Sequence, residues 1–153
     1  MYKITYESPI GRLLLRANDS YLLQVVFGSA AHQHSCSLLE ETKRQLDAYF
    51  AGSLRNFSLP LLPEGTAFQQ KVWNQLRTIP YGQTVSYADI AQAIGSDKAY
   101  RAVGMANNRN PIAIIIPCHR VIGKNGKLVG YAGGLDTKAF LLAHEMHQLA
   151  NRC

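Results

Sequence analysis

The sequence contains only three cysteines, a modest 17% of charged residues and no long hydrophobic run. An odd number of cysteines argues against a disulfide framework and favours a reducing compartment. No apolar run approaches the roughly 18 residues that a membrane-spanning helix needs. Residues 1–7 alternate like a β-strand and lack the apolar block of a signal peptide. We therefore expect an intracellular location, namely the cytoplasm, or the nucleus in a eukaryotic cell.

The charged residues are unevenly divided between the two signs. Sixteen Lys and Arg residues stand against ten Asp and Glu residues, which gives a formal net charge of +6 at pH 7. A basic protein favours anionic partners such as nucleic acid. The excess does not identify a partner by itself, since many basic proteins bind no nucleic acid, so the positions of the cations carry more information.

The first third of the chain has the pattern of a small β-sheet followed by a helix. Residues 2–6 alternate between apolar and polar, and apolar runs follow at 13–15 and 22–27 with turn residues between them. This pattern predicts a three-stranded antiparallel meander. Helical spacing over 38–50 predicts a helix that ends at Gly52.

An irregular stretch with two prolines, residues 53–64, predicts a linker between two domains. We place an N-terminal domain at 1–60 and a C-terminal domain at 65–153. The second domain opens with a helical pattern that puts Trp73 in the core. The predicted fold class is therefore α/β (α+β), with a small antiparallel sheet and helix before a mainly helical domain.

Two short helices are predicted in the middle of the second domain. Ser86, with Asp89 three residues later, matches a capping box and predicts a helix that runs to about residue 94. Gly95 ends this helix, and Ser96 is predicted to cap the next one, which covers about residues 98–107.

These two helices have the dimensions of a helix-turn-helix. Lys98 and Arg101 on the second helix can meet phosphates, and small residues such as Ala99 permit a close approach to a groove floor. The alternative is an αα-hairpin packed in the core, and the pattern alone leaves both interpretations open.

A cysteine follows the most apolar segment of the chain. The run at 112–116 predicts a buried strand that Pro117 ends, and Cys118 and His119 come directly after it. A cysteine beside such a run is usually a passive core residue. The adjacent histidine and the nearby Asn110 favour chemistry instead, because a thiolate is a strong nucleophile and an imidazole can accept its proton.

A proton transfer between Cys118 and His119 would require the surrounding structure to bring the two side chains together and to orient the imidazole. Side chains of neighbours in an extended chain point to opposite faces, so we expect a turn or a bridging water between Cys118 and His119. A third group should orient the imidazole. The predicted C-terminal helix that opens at residue 136 offers His144 or Glu145 for this role. A carboxylate is the better chemical choice, but spacing alone does not decide between them.

Residues 116–122, Ile-Pro-Cys-His-Arg-Val-Ile, resemble the signature of the O6-alkylguanine–DNA alkyltransferase family. The resemblance spans residues 68–145, whereas the first 60 residues fit only in length and meander pattern. It implies a winged-helix or helix-turn-helix-like domain that removes alkyl groups from damaged DNA onto its own cysteine. Five further blocks match in order, at 81–87, 99–104, 110–111, 130–135 and 141–145.

The resemblance also implies roles for individual residues. Cys118 would accept the alkyl group, His119 would deprotonate it through water, and Glu145 would hold His119. Tyr87 would press on the target phosphate and assist protonation of the departing guanine. Arg101 would enter the base stack where the extruded base had been.

Further residues are expected to shape the pocket and the DNA-binding surface. Asn110 would brace the active-site turn, Val121 and Tyr131 would line the base pocket, and Lys138 would help to position the site. Ala99 would lie against the DNA. The expected partner is double-stranded DNA that contains O6-alkylguanine, bound through its minor groove by a monomer, with cooperative binding along DNA left open.

No cofactor and no metal are expected. His32, His34 and Cys36 alternate as metal ligands on a strand can, but no fourth ligand lies at a usual spacing, so we interpret the segment as a solvated loop. Lys124 lies in a turn with an Asn-Gly pair, for which a solvated turn and a phosphate contact both stay open.

Three other functions compete with alkyl transfer. Alkyltransferase-like proteins flip the lesion without repairing it, but they lack the reactive cysteine that Cys118 represents. A helix-turn-helix regulator would have no use for the cysteine motif. A thiol hydrolase would need an oxyanion hole, of which the sequence shows no pattern.

Overall fold

The structure is a computed structural model, and it describes residues 1–150. Cys153, which the sequence suggests is incidental, lies outside the described residues. Contacts divide the chain into two compact units, one formed by residues 1–64 with 111–113 and the other by 65–110 with the residues from 114 onward. No helix in the described part is long and apolar enough to cross a membrane.

The first unit is the predicted meander with one helix. The antiparallel strands β1, β2 and β3 pair in sequence order, and α1 packs on β1 and β2. Gly52 ends α1 in the left-handed region with a φ of 86°, where a side chain would be strained. The elements are β1 (Tyr2–Ser8), β2 (Gly11–Ala17), β3 (Leu22–Phe27) and α1 (Ser37–Ala51).

The alternating pattern explains the core of this unit. The register pairs Ile4 with Leu15 and Tyr6 with Leu13, and all four side chains are buried. Because side chains on a strand alternate between the two faces, the polar residues between them lie on the other face. The meander prediction is confirmed.

The second unit is mainly helical, as predicted. Helix α4 packs against both α2 and α3, and β4 pairs in parallel with β5. Trp73 is buried as predicted, and its Nε1 donates to the Ala106 carbonyl at 2.8 Å. The elements are α2 (Ala67–Leu76), β4 (Val85–Ser86), α3 (Tyr87–Ala93), α4 (Tyr100–Asn108), a 3-10 helix (Cys118–Arg120), β5 (Val121–Ile122), a second 3-10 turn (Lys124–Gly126) and α5 (Leu135–Ala150).

The start of α3 is set by the predicted capping box. Ser86 Oγ accepts the backbone N–H of Asp89 at 3.0 Å, and the Asp89 carboxylate accepts the N–H of Ser86 at 2.9 Å. Two backbone donors that the helix cannot satisfy internally are thereby paired. The capping prediction is confirmed.

The prediction that Ser96 caps the next helix is wrong. The Ser96 N–H donates to Ala91 O and its carbonyl accepts from Ala99 N, so Ser96 closes α3 and the turn after it. Gly95 supplies the left-handed residue of this closure, with a φ of 77°. Consequently α4 begins at Tyr100, and Ala99 occupies its N-cap position without a side-chain hydrogen bond.

The apolar run at 112–116 is buried except for the half-buried Ile115, but the predicted strand is wrong. Val25 N–H donates to Pro111 O and Ala113 N–H donates to Val25 O, which gives a single bridge at Ile112. Ile114 then has a φ of 71°, in a region that a β-branched residue rarely adopts. The chain therefore turns through this segment instead of extending.

Candidate active site

Cys118 lies in a tight turn whose backbone carbonyls accept hydrogen bonds from two asparagine side chains. Asn110 Nδ2 donates to Ile116 O at 2.8 Å, and Asn107 Nδ2 donates to the Cys118 carbonyl at 3.2 Å. Both asparagines are buried, one at the end of α4 and one just beyond it. The amides satisfy carbonyls that a strand would have paired, and the left-handed Ile114 lets the chain fold back beneath them.

The resting Cys118 is a protonated thiol. Its residue is only 5% exposed, and burial raises the pKa of the Cys118 thiol, because a thiolate is poorly solvated there. A hydrogen bond from Asn110 and the positive charge of Lys138 oppose this shift. Ionisation of this thiol at neutral pH therefore needs a nearby base, and the surroundings already contain groups that stabilise the thiolate.

His119 is buried next to the cysteine and is held by a carboxylate. Its Nε2 lies 2.7 Å from Glu145 Oε2, although the two residues are 26 positions apart. Burial lowers the pKa of the His119 imidazole, and Glu145 opposes that shift without cancelling it. His144, the alternative orienter, instead stacks its ring on Phe140. The structure thus pairs Glu145 with His119.

This pairing selects one form of the imidazole. A carboxylate only accepts hydrogen bonds, so Nε2 of the neutral His119 must carry the proton and donate it to Glu145. The Nδ1 atom then carries a lone pair. It is buried and has no hydrogen-bond partner within residues 1–150. His119 is therefore prepared to accept a proton at Nδ1.

Arg120 completes a buried charged cluster with Glu145. Its Nε and Nη2 donate to the two carboxylate oxygens at 2.8 and 3.0 Å, and Nη1 donates to Ile79 O. The Gly82 N–H is a further donor to Oε1. Burial alone would raise the pKa of the Glu145 carboxyl, but the hydrogen bonds and charges of His119 and Arg120 outweigh it and hold that pKa well below its usual range.

Lys138 and Tyr87 form a second polar cluster near the cysteine. Lys138 Nζ donates to Val129 O at 2.9 Å and Gly130 O at 3.2 Å, and it lies 3.4 Å from Tyr87 Oη. Burial lowers the pKa of Lys138 to about 8, which keeps most of the amine charged at neutral pH. Burial raises the pKa of Tyr87 to about 12, so its hydroxyl stays protonated and donates to Val129 O.

The remaining predicted residues fall into two groups. Tyr131 and Val121 lie in the second unit near the cysteine: Val121 is fully buried in β5, and burial together with Cys118 raises the pKa of Tyr131. Arg101 is exposed on the first turn of α4, and Ala99, at the N-cap position just before it, is half-buried.

Two residues of this site were missed at the level of sequence. Arg120 is part of the family signature but was assigned no role, although it binds both oxygens of Glu145. Asn107 was not singled out at all, although it holds the Cys118 carbonyl. The sequence did contain a signal for Arg120. It lies close to an apolar run, and an arginine that is buried there requires a carboxylate partner.

Replacing Asn110 with alanine is expected to lower the free energy of unfolding by about 1–3 kcal/mol, since the buried Ile116 carbonyl would lose its donor. Urea denaturation measures the change. Asn108→Ala is the matched control, because Asn108 is an exposed asparagine two residues earlier, at the end of α4. Equal loss in both variants would show that the amide of Asn110 does not brace the turn.

Comparisons with known proteins cover nearly the whole chain. The model of the 6-O-methylguanine DNA methyltransferase ribonuclease-like domain matches residues 1–63, and that of the DNA binding domain of the same family matches residues 67–147. The methylated-DNA–protein-cysteine methyltransferase of Methanosarcina acetivorans is 56% identical over 153 residues, which cover 95% of this chain and 98% of that protein.

Bacterial relatives agree with the archaeal one. The constitutive methylated-DNA–protein-cysteine methyltransferase of Bacillus subtilis is 47% identical over 92% of this chain and 93% of its own. The crystal structure of Mycobacterium tuberculosis OGT in complex with DNA superposes with a TM-score of 0.88 at 46% identity, over 97% of this chain and 94% of that one. The chain therefore belongs to the 6-O-methylguanine DNA methyltransferase family.

Proposed function

We propose that this protein repairs double-stranded DNA directly, by transferring the alkyl group of O6-alkylguanine to Cys118. The observation that carries the proposal is the buried contact of His119 with Glu145 directly beside a cysteine in a member of this family. A regulator that binds DNA without chemistry would have no need for a buried imidazole with an unpartnered Nδ1 in the residue that follows a buried cysteine.

The first step is removal of the thiol proton. A water that bridges Cys118 Sγ and His119 Nδ1 would carry the proton to the imidazole, which then becomes a cation. Glu145 stabilises that cation through the hydrogen bond at Nε2. Lys138 and Asn110 stabilise the thiolate, because each favours the charged sulfur. These groups, which are already in place, together offset the free-energy cost of ionising the buried thiol.

The second step breaks the carbon–oxygen bond of the lesion. The thiolate sulfur bonds to the alkyl carbon, and the electron pair of the broken bond leaves with O6 of guanine. The departing base must gain a proton, and the neutral hydroxyl of Tyr87, beside the ammonium of Lys138, is the proposed donor. The product is a thioether at Cys118, and regeneration would require a second nucleophile to displace the thiolate from the alkyl carbon. None is proposed, so each protein molecule acts once.

The lesion must leave the base stack before the sulfur can reach it. Extrusion of a base costs a few kcal/mol, and side chains inserted from the minor groove offset part of that cost. We assign insertion to Arg101, on the exposed first turn of α4, and close approach to the groove to Ala99. Val121 and Tyr131 would line the pocket that receives the base.

We also infer two domains, residues 1–60 and 65–153, in a monomer that acts in the cytoplasm. The division of contacts near residue 64 supports the domain boundary. Size-exclusion chromatography of the free protein should give the mass of one chain, and the mass of a dimer would contradict this inference.

Methyl uptake from DNA tests the proposed function. The protein is incubated with duplex DNA that carries one isotopically labelled O6-methylguanine, and the product is digested and analysed by mass spectrometry. We expect one labelled methyl group per protein molecule, on the peptide with Cys118. An undamaged duplex is the control. DNA binding without an adduct, or an adduct on Cys36 instead, would contradict the proposal.

A further inference from the structure

An open cavity of about 430 Å³ lies beside the proposed alkyl-transfer site. It is lined by Ser86, Tyr87, Ala88, Tyr100 and Lys124. Its volume falls in the range of sites that bind small molecules, about 300–1,000 Å³. Ser86 caps α3 and Tyr87 belongs to the proposed reactive site, whereas Tyr100 and Lys124, the two largest other side chains of the lining, have no role in the proposed transfer.

Tyr87 belongs both to this cavity and to the reactive site. It lines the cavity, and its hydroxyl contacts Lys138, whose ammonium stabilises the Cys118 thiolate. A guanine that enters the site stays linked through its sugar and phosphates to a nucleotide on each side. One of these neighbours must therefore pass close to Tyr87, where the cavity is open.

Lys124 is held at the edge of the cavity by the backbone. Ser86 pairs with Ile122 across β4 and β5, so the turn that follows β5 lies next to the start of α3. This turn is closed by Gly126 N–H to Gly123 O and by Gly123 N–H to Lys127 O. The Lys124 side chain is exposed and has no hydrogen bond or ion pair within residues 1–150, so its charge is available to an anion.

Tyr100 supplies an aromatic wall at the same cavity. It is the first residue of α4, and it is 49% exposed. The Arg101 guanidinium lies 6.0 Å from the centre of its ring. An exposed ring beside the proposed inserting arginine offers a flat surface on which a sugar or an unstacked base can rest, and such contacts tolerate any base sequence.

We propose that this cavity binds one nucleotide of the damaged strand, the neighbour of the extruded guanine. Lys124 pairs with its phosphate, and the Tyr100 ring supports its sugar and base. The inference rests on the proposed function, because it assumes that a base is extruded into the site of Cys118. It assigns positioning roles to both residues, and neither of them touches the reacting atoms.

The experiment compares Lys124→Ala and Tyr100→Ala with Lys127→Ala, which removes an exposed lysine from the same turn but outside the cavity lining. Three quantities are measured: affinity for a duplex with O6-methylguanine, affinity for the undamaged duplex, and the rate of methyl transfer from the free base O6-methylguanine. The free base has no sugar or phosphate, so its reaction reports the Cys118 site alone.

Both cavity variants are expected to bind the damaged duplex about tenfold more weakly. Lys124→Ala should also reduce the slope of log affinity against log salt by about 0.9, as expected for the loss of one phosphate contact. Affinity for undamaged DNA should change less than about twofold relative to Lys127→Ala, and transfer from the free base should be unchanged. Tyr100→Phe, which keeps the ring, should bind like the wild type.

Several results would overturn the inference. Equal losses in Lys124→Ala and Lys127→Ala would indicate general attraction to DNA, and so would equal losses on damaged and undamaged duplexes. Slower transfer from the free base would show that the variants disturb the Cys118 site itself. If the wild type accepts no methyl group but Lys124→Ala still binds damaged DNA tenfold more weakly, the nucleotide subsite stands and the proposed transfer function fails.

Discussion

Cys118→Ser is expected to abolish alkyl transfer while leaving affinity for O6-methylguanine DNA within about twofold of the wild type. Serine has nearly the same shape, so the turn held by Asn107 and Asn110 should persist. A hydroxyl is far less acidic than a thiol, whose unperturbed pKa is about 8.5, and oxygen is a poorer nucleophile toward a saturated carbon. Loss of a nucleophile typically slows an enzyme by more than about 10⁴-fold.

Single-turnover transfer of a labelled methyl group, combined with fluorescence anisotropy of labelled DNA, measures both quantities. Cys36→Ser is the matched control. Cys36 lies at the N-cap position of α1, without a side-chain hydrogen bond, and a serine there should leave uptake at one methyl group per molecule. Methyl uptake by Cys118→Ser would place the acceptor elsewhere and contradict the assignment.

Glu145→Gln is expected to lower the free energy of unfolding by about 3–5 kcal/mol and to slow methyl transfer by about 10²–10⁴-fold. The amide keeps the size of the side chain but removes the charge, so the buried Arg120 guanidinium loses its counter-ion. The His119 imidazolium that forms during thiol deprotonation loses its stabilising carboxylate at the same time. One substitution therefore affects stability and chemistry together.

The stability effect should depend on pH in a defined direction. The pKa of Glu145 is lower in the folded protein than in the unfolded chain, where a glutamate has a pKa of about 4.3. Its stabilisation is therefore complete above the unfolded pKa and is lost as the pH falls through the folded pKa. The difference in stability between wild type and Glu145→Gln should be largest near neutral pH and should shrink in acid.

Urea denaturation between pH 7 and pH 3 measures this difference. Glu41→Gln is the control, since the Glu41 carboxylate pairs with Arg44 at the surface, where ion pairs contribute little to stability. The hydrogen bonds and charge of Arg44 lower the pKa of Glu41 to about 2, so this control shares the direction of the shift without the burial. A stability difference for Glu145→Gln that stays constant across the pH range would contradict the charged cluster.

Local sequence patterns correctly predicted elements that depend on near neighbours. The alternation in residues 2–6 gives one apolar face, and a strand is the conformation that buries it. The capping box of Ser86 and Asp89 joins groups only three residues apart. The local pattern was misleading at Ser96, which was predicted to cap the next helix. Its N–H instead donates to Ala91 O and closes the end of α3.

The segment before Cys118 shows where local patterns fail. Four of the five residues at 112–116 are buried, as their apolar composition predicts, but the run does not reveal that the Asn110 side chain binds the Ile116 carbonyl and closes a turn. Nor does the run reveal the left-handed conformation of Ile114, which the surrounding contacts impose against the preference of a β-branched side chain.

The sequence by itself determined the family and was enough to propose Cys118 as the nucleophile and His119 as its base, because the two residues are adjacent within one short family motif. The family resemblance implied Glu145 as the partner of His119, but spacing could not choose between His144 and Glu145, and only the tertiary structure shows the contact and the sharing of the Glu145 carboxylate with Arg120. Successive residues on a helix point about 100° apart, so the packing of α5 selects which of the two faces the site. Such contacts form across 25 residues or more, a separation over which spacing carries no geometric information.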